Sequence, residues 1–245
     1  MAGVAATRTR RAMLAHWCVK GYGVAEILLF DLYGTPVDPL AIAADLTEVL
    51  GADGSEVSRQ WRAKQLEYSF RLTVMGSYLG FRAVTAAALE FALASAGLSL
   101  TSAQRRHLVE RYDHLPPLAD AAPALRALAQ CGFELVVLSN GTPDMIAACL
   151  ASSGLDAWIS QQLSADDVHA YKPSAGVYLY AAQRLGRPAR QLRLVSGNAF
   201  DIVGAGAAGV RTAWVNRVGA PFDTIGKSPE IIVSDLGRLP DALAG

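Results

Sequence analysis

Cysteine and histidine are scarce in this chain of 245 residues, which has three cysteines and four histidines. Cys18, Cys131 and Cys149 lie far apart, without the short spacing of a zinc site or the density of a disulfide framework. The histidines are equally scattered, so they predict no metal site. This usage is typical of a protein in a reducing compartment, and we expect a cytoplasmic location.

A surplus of either charge is also absent, since Lys plus Arg and Asp plus Glu each number 22. This balance favours neither nucleic acid nor an anionic membrane surface as a partner. No apolar run approaches the roughly 20 residues that cross a bilayer, so no membrane segment is predicted. Residues 1–25 are basic but have no long apolar core, and we expect a disordered extension there rather than a secretory signal.

The chain is organised around Ile27–Phe30, four consecutive apolar residues that precede Asp31 and a turn containing Gly34. A short apolar run followed by a turn is typical of a strand buried on both faces of a parallel sheet. Asp31 then lies where the strand ends. Taken alone, such a carboxylate either caps the next turn or takes part in chemistry.

After this strand comes a long helical block, and then helical and strand patterns alternate. Helices are predicted over 40–50, 57–75, 81–96, 102–114, 121–130, 142–152, 175–185 and 199–208. Strands are predicted over 27–30, 134–138, 192–195 and 212–215, with a short apolar segment at 158–159. Thr142 and Ser174 are expected to cap the helices that follow them.

The alternation of strands and helices predicts an α/β fold with a Rossmann-like, doubly wound parallel sheet. The helical block is inserted directly after the first strand, which predicts a helical cap subdomain at residues 37–115. The sheet core then comprises residues 26–36 and 116–245.

Polar residues stand at the ends of three predicted strands, namely Asp31, Ser139 and Ser196. Ligands of doubly wound sheets bind beyond the carboxyl ends of the strands. Three polar strand ends in one crevice are harder to explain as turn caps than a single one. We therefore expect a functional site there, with Asp31 as a nucleophile toward carbon or phosphorus.

Further groups near these strand ends suit an anionic substrate. Thr35 and Asn140 can donate hydrogen bonds, and Lys172 precedes a proline that would keep its backbone extended. An ammonium aimed inward would keep Asp31 ionised. Asn198 and Asp201 share one loop-to-helix turn, where they either join the site or only cap the helix.

Four segments, in order, resemble the motifs of the haloacid dehalogenase superfamily. They are DLYGT at 31–35, SNG at 139–141, YKP at 171–173 and SGNAFD at 196–201. Two further segments, WRAKQLEY at 61–68 and VNR at 215–217, resemble its L-2-haloacid dehalogenase (type II) branch. The likeness extends from about residue 26 to residue 217.

The resemblance implies hydrolysis of short L-2-haloalkanoic acids to D-2-hydroxyalkanoic acids, with halide as the second product. Asp31 is implied to attack C2 from behind the carbon–halogen bond, which inverts this centre and leaves an aspartyl ester. Water then hydrolyses the ester at the Asp31 carbonyl carbon. No metal or other cofactor is implied, and a homodimer formed through the cap helices is expected.

Binding roles follow from the same resemblance. Arg62 and Asn140 are implied to receive the halide, with Phe200 lining that pocket. Ser139 and backbone N–H groups beside Tyr33 are implied to hold the substrate carboxylate. From the residues alone, Arg62 would more simply belong to the solvated face of a helix.

The remaining implied roles concern the apolar pocket and the positioning of the nucleophile and the water. Leu66 and Phe81 are implied to line the apolar pocket. The side chains implied to orient Asp31 and the hydrolytic water are Lys172, Thr35, Tyr178, Ser196, Asn198 and Asp201.

Three alternatives stay open at this stage. A Mg²⁺-dependent phosphatase of the superfamily would have a second Asp where this chain has Tyr33, and Asp31 with Asp201 alone form a poor magnesium site. A non-catalytic dimeric binding protein would retain the fold without the reaction. A third alternative keeps the mechanism, with Asp31 either opening a strained ring or displacing another leaving group at C2.

Overall fold

Parallel strands form one sheet in the computed structural model, which describes residues 26–244. The strands are β1 (Ile27–Phe30), β2 (Glu134–Ser139), β3 (Gln161–Ser164), β4 (Leu192–Ser196), β5 (Arg211–Val215) and β6 (Ile231–Val233). Their order across the sheet is β3-β2-β1-β4-β5-β6. The predicted α/β fold is confirmed, whereas the expected disorder at 1–25 lies outside the described residues.

Helices cover both faces of the sheet and fill the insertion after β1. They are α1 (Ala43–Leu50), α2 (Gly54–Val74), α3 (Phe81–Ser95), α4 (Ser102–Glu110), α5 (Ala121–Gln130), α6 (Pro143–Ser153), α7 (Ala175–Arg184), α8 (Ala199–Ala207) and α9 (Leu239–Ala244). Helices α1 to α4 lie between β1 and α5 in the chain, and α2 packs against both α1 and α3. No helix within the described part of the chain is both long and apolar enough to cross a membrane.

The central strand β1 explains why the sheet is covered on both faces. Leu28 and Phe30 pack into one hydrophobic cluster, which includes residues of α2, α3, α5 and α6. Ile27 and Leu29 point the other way, into a cluster with α7 and α8. Alternate residues of a strand face opposite sides of its sheet, so four apolar residues in a row serve both cores.

The chain leaves the sheet for the helical insertion and returns beside the same point. Asp38 N–H donates to Pro116 O at 3.0 Å, and Leu118 N–H donates to Pro36 O at 2.8 Å. These hydrogen bonds tie the two chain crossings together. They lie next to the boundaries predicted for a cap at residues 37–115.

Edge strands are the main elements that the sequence pattern does not predict. The short apolar segment at 158–159 was assigned to no element; Asp156–Trp158 forms a short 3-10 turn, and β3 begins at Gln161. Strand β6 and the short helix α9 were not predicted either. The helix bounds fall within three residues of the predictions, with Arg111–His114 continuing α4 as a 3-10 turn.

The two predicted capping side chains make no capping hydrogen bond. Thr142 precedes α6 but its hydroxyl donates to the Asp144 carboxylate rather than accepting from a backbone N–H group. Ser174 likewise precedes α7 without a side-chain cap. Pro143 at the first position and the left-handed Gly154 after the last residue still mark the ends of α6.

Candidate active site

Asp31 follows β1 at the topological switch point, where the chain turns from β2 on one side of β1 to β4 on the other. Its backbone N–H donates to Val195 O at 3.0 Å, which continues the pairing of β1 with β4. The residue is 6% exposed, so its carboxylate is nearly out of solvent. A carboxylate buried to this degree needs several polar partners.

The two carboxylate oxygens of Asp31 have different sets of donors. Oδ2 accepts from Thr35 Oγ1 at 2.9 Å and Asn198 Nδ2 at 2.7 Å, with Ser196 Oγ at 3.4 Å. Oδ1 accepts from Lys172 Nζ at 3.0 Å. These contacts fix the plane of the carboxylate and leave Oδ1 with a single donor.

The turn after β4 is bound to the loop after β1. Gly197 N–H donates to Thr35 Oγ1 at 2.9 Å, and Asn198 Nδ2 donates to Tyr33 O at 3.0 Å. Asn198 precedes α8, yet its side chain makes no capping hydrogen bond. The interpretation of Asn198 as only a helix cap is therefore wrong, since its side-chain amide binds the Asp31 loop.

Lys172 bridges two buried carboxylates. Its Nζ lies 3.0 Å from Asp31 Oδ1 and 2.9 Å from Asp201 Oδ2, and the residue is 1% exposed. Burial lowers the pKa of Lys172, but the charges of Asp201 and Asp31 outweigh burial and raise it above its ordinary value. The ammonium is therefore charged at neutral pH and offsets part of the two negative charges.

Asp201 is completely buried on α8 and reaches the nucleophile only through Lys172. Tyr178 on α7 donates from its hydroxyl to Asp201 Oδ1 at 2.6 Å. Burial raises the pKa of Asp201, the Lys172 ammonium lowers it, and the net direction is upward. Burial raises the pKa of Tyr178 well above its ordinary value, and the negative charge of Asp201 raises it further. The phenol therefore keeps its proton and remains a hydrogen-bond donor.

The end of β2 contributes Ser139, its last residue, and Asn140, the residue after it, both buried. Asn140 Oδ1 accepts from the backbone N–H of Lys172 at 2.9 Å, which joins this segment to the lysine loop. Ser139 Oγ accepts from Gly141 N–H at 3.1 Å and keeps its own proton available for donation. No hydrogen bond joins the Ser139 hydroxyl to the Asp31 carboxylate.

Arg62 extends from α2 toward the loop after β1. Its Nη2 lies 3.5 Å from Tyr33 O, and its Nη1 donates to Gln65 Oε1 at 2.6 Å. Because Tyr33 O also accepts from Asn198, the guanidinium lies beside the hydrogen bonds that hold Asp31. The interpretation of Arg62 as part of a solvated helix face is wrong.

Aromatic side chains form the apolar part of the site. The ring of Tyr33 stacks on Phe81 with centroids 5.7 Å apart, and Tyr112 meets it edge-on at 5.8 Å. Phe200, half-buried at the start of α8, meets Phe70 of α2 edge-on at 5.2 Å. Aromatic rings of the helical insertion thus pack against aromatic rings of the core.

The structure brings most of the predicted site residues into one cluster. Those joined to Asp31 by direct or relayed hydrogen bonds are Tyr33, Thr35, Arg62, Asn140, Lys172, Tyr178, Ser196, Asn198 and Asp201. Ser139, Phe81 and Phe200 lie next to members of this cluster. Leu66 is half-buried on α2, next in sequence to Gln65.

Sequence reasoning missed two connections. Arg217 lies in the VNR segment but had been given no role; its Nη2 donates to Thr35 O at 2.9 Å. Its guanidinium is held by Asp120, at 2.9 Å. The motif itself was a signal for Arg217, whereas Asp120 is distant in sequence and has no local pattern that points to it.

The donors around Asp31 do not fit Mg²⁺. Lys172 Nζ already bridges Asp31 and Asp201, and a buried ammonium at this point repels a divalent cation. Tyr33, where a second carboxylate would be needed, contributes a ring that packs on Phe81. No group of three or more His, Cys, Asp or Glu side chains in the described ranges is arranged to hold a metal ion.

Comparison with known proteins agrees with the site. A family model described as haloacid dehalogenase-like hydrolase matches residues 25–209. The (S)-2-haloacid dehalogenase of Pseudomonas fluorescens is 36% identical over 215 residues, which cover 88% of this chain and 95% of that protein. The (S)-2-haloacid dehalogenase of Pseudomonas sp. (strain YL) is 37% identical over 209 residues, which cover 85% of this chain and 90% of that protein.

A solved structure shows the same fold. It is the L-2-haloacid dehalogenase from Xanthobacter autotrophicus with chloropropionic acid covalently bound, and it superposes with a TM-score of 0.86 at 30% identity. The match covers 91% of this chain and 99% of that chain. The resemblance inferred from the motifs is therefore confirmed. The chain belongs to the haloacid dehalogenase-like hydrolases, in their L-2-haloacid dehalogenase branch.

Proposed function

We propose that this protein hydrolyses short L-2-haloalkanoic acids to D-2-hydroxyalkanoic acids and halide, through an ester on Asp31 and without a metal ion. One observation carries the proposal. The buried Asp31 carboxylate is held by Lys172 and Asn198, and the Arg62 guanidinium approaches the same Tyr33 carbonyl oxygen that Asn198 binds. A nucleophile and an unpaired cation beside each other suit the displacement of an anionic leaving group.

The first step forms a carbon–oxygen bond. An oxygen of Asp31 attacks C2 from behind, and the carbon–halogen electron pair leaves with the halide. Arg62 and Asn140 receive the halide, with Phe200 beside them. The guanidinium gains its partner as negative charge develops on the halogen, so it stabilises the transition state more than the substrate.

Substrate orientation comes from polar and apolar groups. Ser139 and backbone N–H groups near Tyr33 hold the substrate carboxylate, because the Ser139 hydroxyl has a free proton. Leu66 and Phe81 line the pocket for the alkyl group. This arrangement selects the enantiomer whose carbon–halogen bond points away from Asp31.

The second step cleaves the ester. Water attacks the carboxyl carbon of Asp31, and the ester oxygen bonded to C2 leaves with one water proton as the hydroxyl group of the product, while the other proton is released to solvent. Lys172 and Asp201 orient the ester and the water, with Tyr178 holding Asp201. Thr35, Ser196 and Asn198 hold the other carboxyl oxygen. The carbon–oxygen bond at C2 stays intact, so the inversion of the first step is preserved.

The proposal includes the organisation of the chain. Residues 26–36 and 116–245 form the catalytic core and residues 37–115 form the cap, which supplies Arg62. The paired crossings at 36–38 and 116–118 support these boundaries. We further propose a cytoplasmic homodimer formed through the cap helices, with a small haloacid as substrate and neither nucleic acid nor membrane as partner.

The test is chloride release from each enantiomer of 2-chloropropionate in the presence of EDTA, for wild type, Asp31→Asn and the control Asp223→Asn. Asp223 is exposed, so Asp223→Asn makes the same change from aspartate to asparagine away from the buried Asp31. We expect release from the L enantiomer only, unchanged by EDTA and by Asp223→Asn, and abolished by Asp31→Asn. Absence of chloride from folded wild type, or release that needs Mg²⁺, would contradict the proposal.

A further inference from the structure

A buried amide lies next to the cap arginine. Gln65 is on α2, three residues after Arg62, and none of its surface is exposed. Its Oε1 accepts from Arg62 Nη1 at 2.6 Å. Residues three apart on a helix share a face, so the two side chains meet without any distortion of α2.

The contact with Thr85 determines the orientation of this amide. Thr85 on α3 donates its single hydroxyl proton to Phe81 O at 2.7 Å, so Thr85 Oγ1 accepts from Gln65 Nε2 at 2.7 Å. The amide nitrogen therefore faces Thr85 and the amide oxygen faces Arg62. Thr85 is itself buried, and its carbonyl oxygen accepts from Trp61 Nε1 at 2.7 Å.

The partners of Arg62 are neutral. Among residues 26–244 it makes no ion pair, and its acceptors are Gln65 Oε1 and Tyr33 O. Arg82 and Arg217, by contrast, each pair with aspartates. A neutral acceptor orients a guanidinium without cancelling its charge, whereas a carboxylate at the same place would do both.

We propose that Gln65 is a positioning residue for the dehalogenation reaction: it aims Arg62 at the leaving halide and leaves the arginine charge uncompensated. The inference rests on the proposed function. Gln65 does not touch the reacting atoms and acts only through Arg62. Thr85 anchors it to α3, so the direction of the guanidinium is determined by packing between α2 and α3.

The test compares Gln65→Glu and Gln65→Met with the control Gln60→Met on the same helix. Gln60 is on α2 outside the site, where its side-chain amide donates to Glu56 Oε1 at 3.0 Å. Halide affinity is measured by chloride NMR line broadening, which needs no turnover, and by bromide inhibition of L-2-chloropropionate hydrolysis. Because the carboxylate of Gln65→Glu pairs with Arg62, we expect halide affinity to fall by about tenfold or more and kcat to fall with it.

The remaining variants separate positioning from folding. Gln65→Met keeps the charge of Arg62 but not its direction, so we expect a fall in kcat with a smaller loss of halide affinity. Gln60→Met should match wild type. Thr85→Val removes the hydroxyl that binds the Gln65 amide, and it should therefore weaken halide binding. If the Gln65 variants do not fold, the halide affinity of Thr85→Val tests the positioning role instead.

Two results would overturn the inference: halide affinity unchanged in Gln65→Glu, or kcat lowered only in proportion to the folded fraction. A merely structural role would lower stability and active protein without changing halide affinity. Absence of chloride release from wild type is a failure of the proposed function and not of the positioning role. The NMR titration still tests that role, and wild type that binds no halide would contradict it.

Discussion

Lys172 is the residue on which the geometry at the sheet end depends most. It is the shared partner of Asp31 and Asp201, and all three groups are buried. Two carboxylates near each other in a poorly solvated place cannot both stay ionised unless a cation lies between them. The lysine therefore offsets part of the negative charge of the two carboxylates and also fixes the direction of the nucleophile.

We predict that Lys172→Met lowers kcat by about 10²-fold or more and destabilises the fold by about 3–5 kcal/mol, because it leaves two buried carboxylates without their partner. Chloride release and urea unfolding measure the two effects. Lys227→Met, at an exposed lysine, is the matched control and should change neither. Full activity in Lys172→Met would contradict the role of the ammonium.

The contribution of Lys172 to the stability of the fold depends on pH. The folded pKa of Lys172 is raised above its ordinary value of 10.5, so its stabilising contribution is fully present below pH 10.5 and is lost as pH rises through the folded pKa. On the alkaline side, the difference in unfolding free energy between wild type and Lys172→Met should therefore shrink only above pH 10.5.

At the scale of elements, the close approach of α8 to the lysine loop determines where Asp201 lies. Gly204 is on α8, and a Cβ atom there would lie 2.5 Å from Pro173 Cβ and 2.8 Å from the Tyr178 hydroxyl. Atoms cannot approach this closely, so only glycine permits the contact. Asp201 and Lys172 each lie near this contact in sequence.

We predict that Gly204→Ala destabilises the protein by about 1–3 kcal/mol through overpacking and lowers kcat by displacing Asp201 from Lys172. Gly206→Ala is the control on the same helix, because its Cβ would meet nothing nearer than Lys227 Cβ at 3.8 Å. Gly206→Ala should raise the free energy of unfolding by up to about 1 kcal/mol. Thermal unfolding and kcat of both variants test the difference, and equal behaviour would contradict it.

The central elements could be predicted because their apolar patterns are strong. Strand β1 is uniformly apolar, and α5 buries residues at 121, 124, 125 and 128 in helical spacing. The edge strands have no such pattern. Strand β3 begins with two exposed glutamines, and β6 has only three residues, so their strand conformation follows from pairing with neighbours.

The site was predictable to the extent that its residues follow strands. Asp31, Ser139 and Ser196 stand at the ends of predicted strands, and strand ends of a parallel sheet converge. Arg62 offers no such cue, because its approach to the loop after β1 depends on how the inserted helices fold back. The role of Gln65 could not be predicted for the same reason, since it depends on a partner in another helix.

At the scale of the whole molecule, the proposed reaction takes place between the inserted helices and the sheet. Asp31 comes from β1 and Arg62 from α2, so neither part contains the complete site. Polar contacts also join the two parts. Arg82 on α3 binds Asp144 at the start of α6 at 2.8 Å, and the Tyr78 hydroxyl donates to Asp166 at 2.6 Å.

The most direct test of the central claim follows the oxygen atom through a complete catalytic cycle. A single turnover of L-2-chloropropionate is run in H₂¹⁸O with enzyme in excess, and mass spectrometry then analyses the product and the peptide containing Asp31. We predict ¹⁸O in the Asp31 carboxylate and none in the 2-hydroxypropionate, because water attacks the ester carbonyl and the product keeps an Asp31 oxygen. Label in the product with none in the peptide would contradict the aspartyl ester.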